Sequence, residues 1–95
     1  MFLTAYHFDG DPIELVAAHQ RLLEHFPLDT LDLHLCVTTA TGIVVFDACP
    51  SRAVHDQFSR SPQFLGAVAA AGLPAPRIEP LGDIHLAHLR ERATT

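Results

Sequence analysis

From Leu31 to Thr38 apolar and polar residues alternate without a break. Leu31, Leu33, Leu35 and Val37 fall on one side, and Asp32, His34, Cys36 and Thr38 on the other. A period of two is that of a strand with one apolar and one polar face. A Thr41-Gly42 turn follows, then a short β-branched run, Ile43-Val44-Val45-Phe46-Asp47-Ala48, so the pair reads as a hairpin. With Thr41-Gly42 as a two-residue turn, Ala40 faces Ile43, Val37 faces Phe46 and Leu35 faces Ala48. Directly opposed residues share a sheet face, so the leucine face continues through Val44, Phe46 and Ala48. The other face carries Asp32, His34, Cys36, Val45, Asp47 and Cys49. An even change in loop length preserves this grouping and an odd one reverses it.

The flanking segments extend the pattern. Phe2 to Phe8, rich in aromatics, predicts a strand that stops at Asp9-Gly10-Asp11-Pro12. Asp11 suits a helix N-cap, Pro12 the first helical position, and Glu14 the third, where it can close a capping box. Leu15, Val16, His19, Leu22, Leu23 and Phe26 form one helical stripe, which Pro27 ends. After Pro50, Ser51 caps a helix carrying Val54 and Phe58. Ser61-Pro62 starts a second helical piece through Phe64, Leu65, Val68 and Ala69, and Gly72 suits a left-handed C-cap before Pro74. Arg77 to Leu89 predicts a last strand, irregular at Pro80 and Gly82. Residues 1–89 thus make a single domain, and Arg90 to Thr95 a frayed tail.

The order β-α-β-β-α-β is that of the ferredoxin-like motif, an α+β fold with a four-stranded antiparallel sheet, two helices on one face, and the first and third strands central. The helices then cover the leucine face and leave the face of His34, Val45 and Asp47 open. A large, partly apolar open face marks a contact or ligand surface. Closing it against a second copy by a two-fold axis gives a homodimer whose sheets enclose a semi-polar cavity. Size favours this: a chain of 95 residues buries only roughly 60–65% of its unfolded surface.

Composition narrows the function classes. Six arginines and no lysine stand against eleven acidic residues, for a net charge of −5, a poor balance for binding nucleic acid. No apolar run reaches a membrane span, and Met1-Phe2-Leu3-Thr4 lacks the basic start of a signal peptide. Two cysteines, Cys36 and Cys49, exclude a disulfide scaffold, so a cytoplasmic location is expected.

Two stretches carry a resemblance: Val45-Phe46-Asp47-Ala48-Cys49-Pro50-Ser51-Arg52-Ala53, and Phe58-Ser59-Arg60-Ser61-Pro62-Gln63-Phe64. They are similar to the dimeric α+β barrel superfamily, and within it to the antibiotic biosynthesis monooxygenase-like proteins. Those relatives often end the third strand on an acidic residue, as Asp47 does here, and continue through a helix into a Ser/Thr-Pro-x-Phe segment, matched by Ser61-Pro62-Gln63-Phe64. Phe58 stands where many of them have a histidine. The resemblance implies a dimeric α+β barrel and cofactor-free oxidation, cyclisation or isomerisation of small aromatic or polyketide-like compounds.

His34 and Asp47, on one face of the hairpin, make a workable acid–base pair, because a carboxylate fixes the tautomer of a neighbouring imidazole. Either Tyr6 or His7 joins them in the cavity, and at most one of His85 and His88 from the last strand, each pair having opposite parity. The catalytic candidates are therefore His34, Asp47, Tyr6, His7 and His85. His19, inside a helical stripe, predicts a hydrogen-bonded core histidine, whereas His25 and His55 are expected in solvent. No phosphate loop, nucleophile elbow or dinucleotide fingerprint is present, so no cofactor is expected. The function expected is small-molecule binding or cofactor-independent catalysis. One alternative is a transition-metal site (nickel, zinc or copper) built from His34, Cys36, Asp47 and Cys49. Another is a non-catalytic dimerisation module in which Val45 bears on assembly.

Overall fold

A computed structural model describes residues 1–26 and 28–90. The elements run β1 (Phe2–Asp9), α1 (Pro12–Leu23), a 3₁₀ turn (Leu28–Thr30), β2 (Leu33–Thr39), β3 (Gly42–Cys49), α2 (Arg52–Ser59), α3 (Pro62–Ala70) and β4 (Arg77–Asp83). The four strands form one sheet in the order β2-β3-β1-β4, with every neighbouring pair antiparallel. The fold is α+β. Pro27 and residues 91–95, where a helix stop and a frayed tail are expected, lie outside the described residues.

Each helix starts where its side chains can satisfy free backbone donors. Asp11 accepts from the Ile13 amide at 3.2 Å, Ser51 from Val54 at 3.3 Å, and Ser61 from Phe64 at 3.1 Å. Pro12 and Pro62 occupy first-turn positions, where no N–H is needed. The end of α3 is a Schellman motif. Gly72 takes a φ of +90°, the Leu73 amide reaches back to the Val68 carbonyl, and the Gly72 amide to that of Ala69. Leu73 is buried as a result.

The hairpin turn lies one residue earlier than the sequence predicts. Thr39 pairs with Gly42, so the turn is Ala40-Thr41, and Leu35 faces Phe46 while Val37 faces Val44. This slides β2 by two places against β3 relative to expectation. An even slide preserves which residues share a face, and the grouping of His34 with Asp47 stands.

What the structure overturns is which face the helices cover. The core consists of Tyr6, Phe8, Ile43 and Val45 from the sheet against Leu15, Ala18 and Leu22 of α1 and Phe64 and Val68 of α3, closed by Ala71 and Leu73. His34, Val45 and Asp47 thus lie beneath the helices, and the leucine face is open. The reason is visible in β1. Phe2, Thr4, Tyr6 and Phe8 are all buried on the helix side, and their partners on β3 are Cys49, Asp47, Val45 and Ile43. Burying the three aromatic side chains Phe2, Tyr6 and Phe8 outweighs burying Leu3 and His7, at roughly 1.5–3 kcal/mol for each large apolar side chain. Val45 is therefore a core residue and not an interface residue. The open face carries Leu3, Leu33, Leu35, Val37, Val44 and Phe46, with Leu35 and Val37 38% and 43% exposed.

β4 ends at Asp83, six residues before the expected Leu89. Pro80 has no N–H to give the ladder, and the pairing with β1 shifts between Leu3 and Thr4, leaving Leu81 outside the register. One last bond, from the Ile84 amide to the Met1 carbonyl at 2.8 Å, follows before the chain leaves the sheet. No helix among the described residues is long and apolar enough to cross a membrane.

Candidate functional site

Asp47 and His34 are direct cross-strand partners on the helix side of the sheet. The Asp47 Oδ1 lies 2.6 Å from His34 Nδ1. A carboxylate only accepts, so Nδ1 of His34 carries a proton, and when that is the ring's only one its Nε2 presents a lone pair. That nitrogen lies 2.9 Å from Nε2 of His19, reaching down from α1. The two rings are almost parallel, with centroids 5.0 Å apart. This separation is close to the nitrogen–nitrogen distance plus the two ring radii, so the imidazoles meet edge to edge, not face to face. With His34 in that state, His19 donates its Nε2–H to His34, which donates its Nδ1–H to Asp47. The chain accommodates one additional proton, because the His34 imidazolium can donate to His19 instead. A second leaves two N–H groups facing each other.

Water reaches this chain sparingly: the side chains of His34 and Asp47 are 13% and 11% exposed. Burial lowers the basicity of His19, and His34 lowers it further, against a smaller opposing pull from Asp47. On the neighbouring strand, burial and then the Asp47 charge push the Tyr6 phenol far above its ordinary value. Tyr6 stays protonated and remains a donor.

Asp47 stands between two voids under the helices. On the α1 side, Leu22, Phe26, Phe58 and Phe64 enclose about 30 Å³ beside His34, room for one water. On the α2 side a cavity of about 150 Å³ is lined by Tyr6, Leu31, Asp47, Cys49, Val54, His55 and Phe58. His55 is 3% exposed, contrary to its expected solvent position, and its Nδ1 lies 3.0 Å from the Thr4 hydroxyl. Burial lowers its basicity, against a smaller opposing pull from Asp56, and Arg52 and Arg60 lower it further. α2 is oriented by this contact, so its buried residues are His55 and Ser59, while Val54 is largely exposed.

The structure thus joins three of the expected residues, His34, Asp47 and Tyr6, but beneath the helices and not on the open face. It separates the others. His7 projects to the open side and bonds Glu79 at 2.8 Å. His85, like His88, is exposed beyond the end of β4. The expected metal set is not assembled either. Cys36 is exposed, and the Cys49 thiol turns to the carbonyls of Ser51 at 3.4 Å and Phe2 at 3.9 Å. Burial raises the pKa of the Cys49 thiol, against a smaller lowering from the Ser51 bond. Among the described residues no three His, Cys, Asp or Glu side chains are placed to hold a metal ion. Two nitrogens aimed at each other at 2.9 Å leave no room for one between them, since zinc–nitrogen bonds are about 2.0–2.1 Å.

Sequence reasoning missed His19 and His55 as members of the site. The available signal was pairing: a histidine in the buried stripe of α1 needs a polar partner, and the sheet offers His34 and Asp47. Comparison with family models, curated proteins and solved structures finds no match to this chain.

Proposed function

We propose that the protein binds a small molecule in the cavity beside Asp47 and acts on it by cofactor-independent acid–base chemistry, with Asp47, His34 and His19 as a proton relay. The observation that carries this reading is the position of Asp47, which ends the hydrogen-bonded chain of 2.6 and 2.9 Å and also lines a cavity of about 150 Å³. Such a cavity matches one that holds a benzene-sized molecule. Asp47 fixes the tautomer of His34, His19 passes or receives the proton, and Tyr6 supplies a neutral hydroxyl. Proton transfer of this kind contributes about 10²–10⁴-fold in rate.

At the level of the fold, the strand order with α1, α2 and α3 on one side supports a ferredoxin-like domain. The exposed apolar band of Leu35, Val37 and their neighbours supports pairing with a second copy through the open face. In this reading the pair supports the domain from outside, and each copy keeps its own cavity.

The test is a fragment screen on the ¹⁵N-labelled protein in metal-free buffer. Binders whose shifts cluster on Tyr6, His55 and Phe58 support the assignment. Binders that touch only Leu35, Val37 and Phe46 on the open side refute it.

A further inference from the structure

We infer that the molecule held in the larger cavity is a small organic ammonium, which Asp47 neutralises and the surrounding rings of Tyr6, His55 and Phe58 enclose. This rests on the reading of that cavity as the binding site and adds the chemical class of its occupant.

The argument begins with charge. Four lining residues can ionise: Asp47, Tyr6, Cys49 and His55. Burial favours the protonated forms of Tyr6 and Cys49 and the neutral form of His55. The one carboxylate on the wall is that of Asp47, bonded on Oδ1 to His34, which does not itself line the cavity. A carboxylate removed from water without a cation is costly. Arg52, the arginine of α2, is engaged elsewhere. It is 65% exposed on its side chain, 3.9 Å from Asp56, and lies over the Phe2 ring at 5.6 Å.

Shape adds to charge. The rings of Tyr6 and His55 are 6.5 Å apart and inclined by 56°; each packs on one side against another ring, Phe64 for Tyr6 and Phe2 for His55, and each also lines the cavity. Phe58 closes the cavity from α2, held at 4.7 Å from Phe64. An aromatic face attracts a cation through its quadrupole, and several faces about one carboxylate form a site for an alkylammonium or quaternary ammonium. Leu31 and Val54 accommodate the alkyl part. Anions are repelled by Asp47, and a neutral molecule leaves its charge unpaired.

The test titrates the full-length protein with choline chloride, with its neutral isostere 3,3-dimethylbutan-1-ol, and with 3,3-dimethylbutanoate, by calorimetry and ¹⁵N chemical shifts. Choline is expected to bind at least tenfold tighter than the isostere. Phe58→Leu should reduce that preference, and Val54→Phe, which fills the cavity from its exposed rim, should abolish binding of both. Asp47→Asn should level choline and isostere; since it also touches the relay, the Phe58 and Val54 variants stand as independent checks. Equal or tighter binding of the isostere, tighter binding of the anion, or no choline binding up to about 10 mM overturns the inference. If imidazole ¹⁵N signals show the His19–His34 bond intact while choline does not bind, the ligand class falls and the relay stands. If that bond is absent, the relay falls regardless of what binds.

Discussion

Replacing His34 with alanine isolates the energetic core of the site. The substitution removes the 2.6 Å bond to Asp47 and the 2.9 Å bond to His19, leaving a nearly buried carboxylate facing a void. Losing a hydrogen bond to a charged group costs about 1.5–3 kcal/mol, and orphaning a fully buried charge about 3–5 kcal/mol. With Asp47 still 11% exposed, water can enter the gap, so the expected loss is about 2–3 kcal/mol. For a domain of this size that lowers Tm by about 10–20 °C. Asp47→Ala should cost a similar amount. The double variant His34→Ala/Asp47→Ala should lose less than the sum, because with both side chains gone neither leaves the other unmet. Urea unfolding followed by circular dichroism gives all four stabilities. If the single losses add to within about 0.5 kcal/mol in the double variant, the two side chains are uncoupled and the bonded chain does not exist in solution.

Three further outcomes follow from the geometry. His19 and His55 both have basicity lowered by burial from the ordinary value of 6.5, so the unfolded chain binds protons first as pH falls. Stability should be flat above about pH 7.5 and decline below about 6.5, and His55→Asn should flatten the decline in a pH series of unfolding curves. Gly42→Ala would place a methyl 2.0 Å from the Phe8 carbonyl oxygen and should cost about 3 kcal/mol or more, while Gly66→Ala meets nothing within 4 Å and should gain about 0.5–1 kcal/mol as a better helix former. Thermal melts of the two variants check both signs. Leu35→Glu on the open face should convert the proposed dimer to a monomer in light scattering while leaving the far-ultraviolet spectrum unchanged; a variant that keeps the wild-type mass refutes pairing through that face.

Much of the fold was readable because local chemistry agreed with the periodicity. Asp11-Pro12, Ser51 and Ser61-Pro62 marked three helix starts, and the alternation through β2 placed His34 with Asp47 despite a turn assigned one residue late. Parity states which residues share a face, but it does not say which face is covered. Leu33, Leu35 and Val37 look as burial-prone as Ile43 and Val45, and the tie is broken by Tyr6 and Phe8 on a strand joined to β3 only in three dimensions. His55 escaped notice because α2 is eight residues long, too short for its stripe to be told from Val54 and Phe58. The sequence places His85 on a strand because Pro80 and Gly82 resemble an irregular beginning, whereas they mark the approach to the end of β4 at Asp83.

The two borders of the sheet differ in a way that limits how copies can aggregate. Along β4 a missing amide at Pro80 and a displaced Leu81 spoil the template for another chain. Along β2 the backbone from Leu33 to Thr39 is regular and could accept one. Edge-to-edge growth therefore has a single usable side, and joining two such sides uses up both. Any ribbon begun that way stops at eight strands, which makes fibril elongation by this route self-terminating.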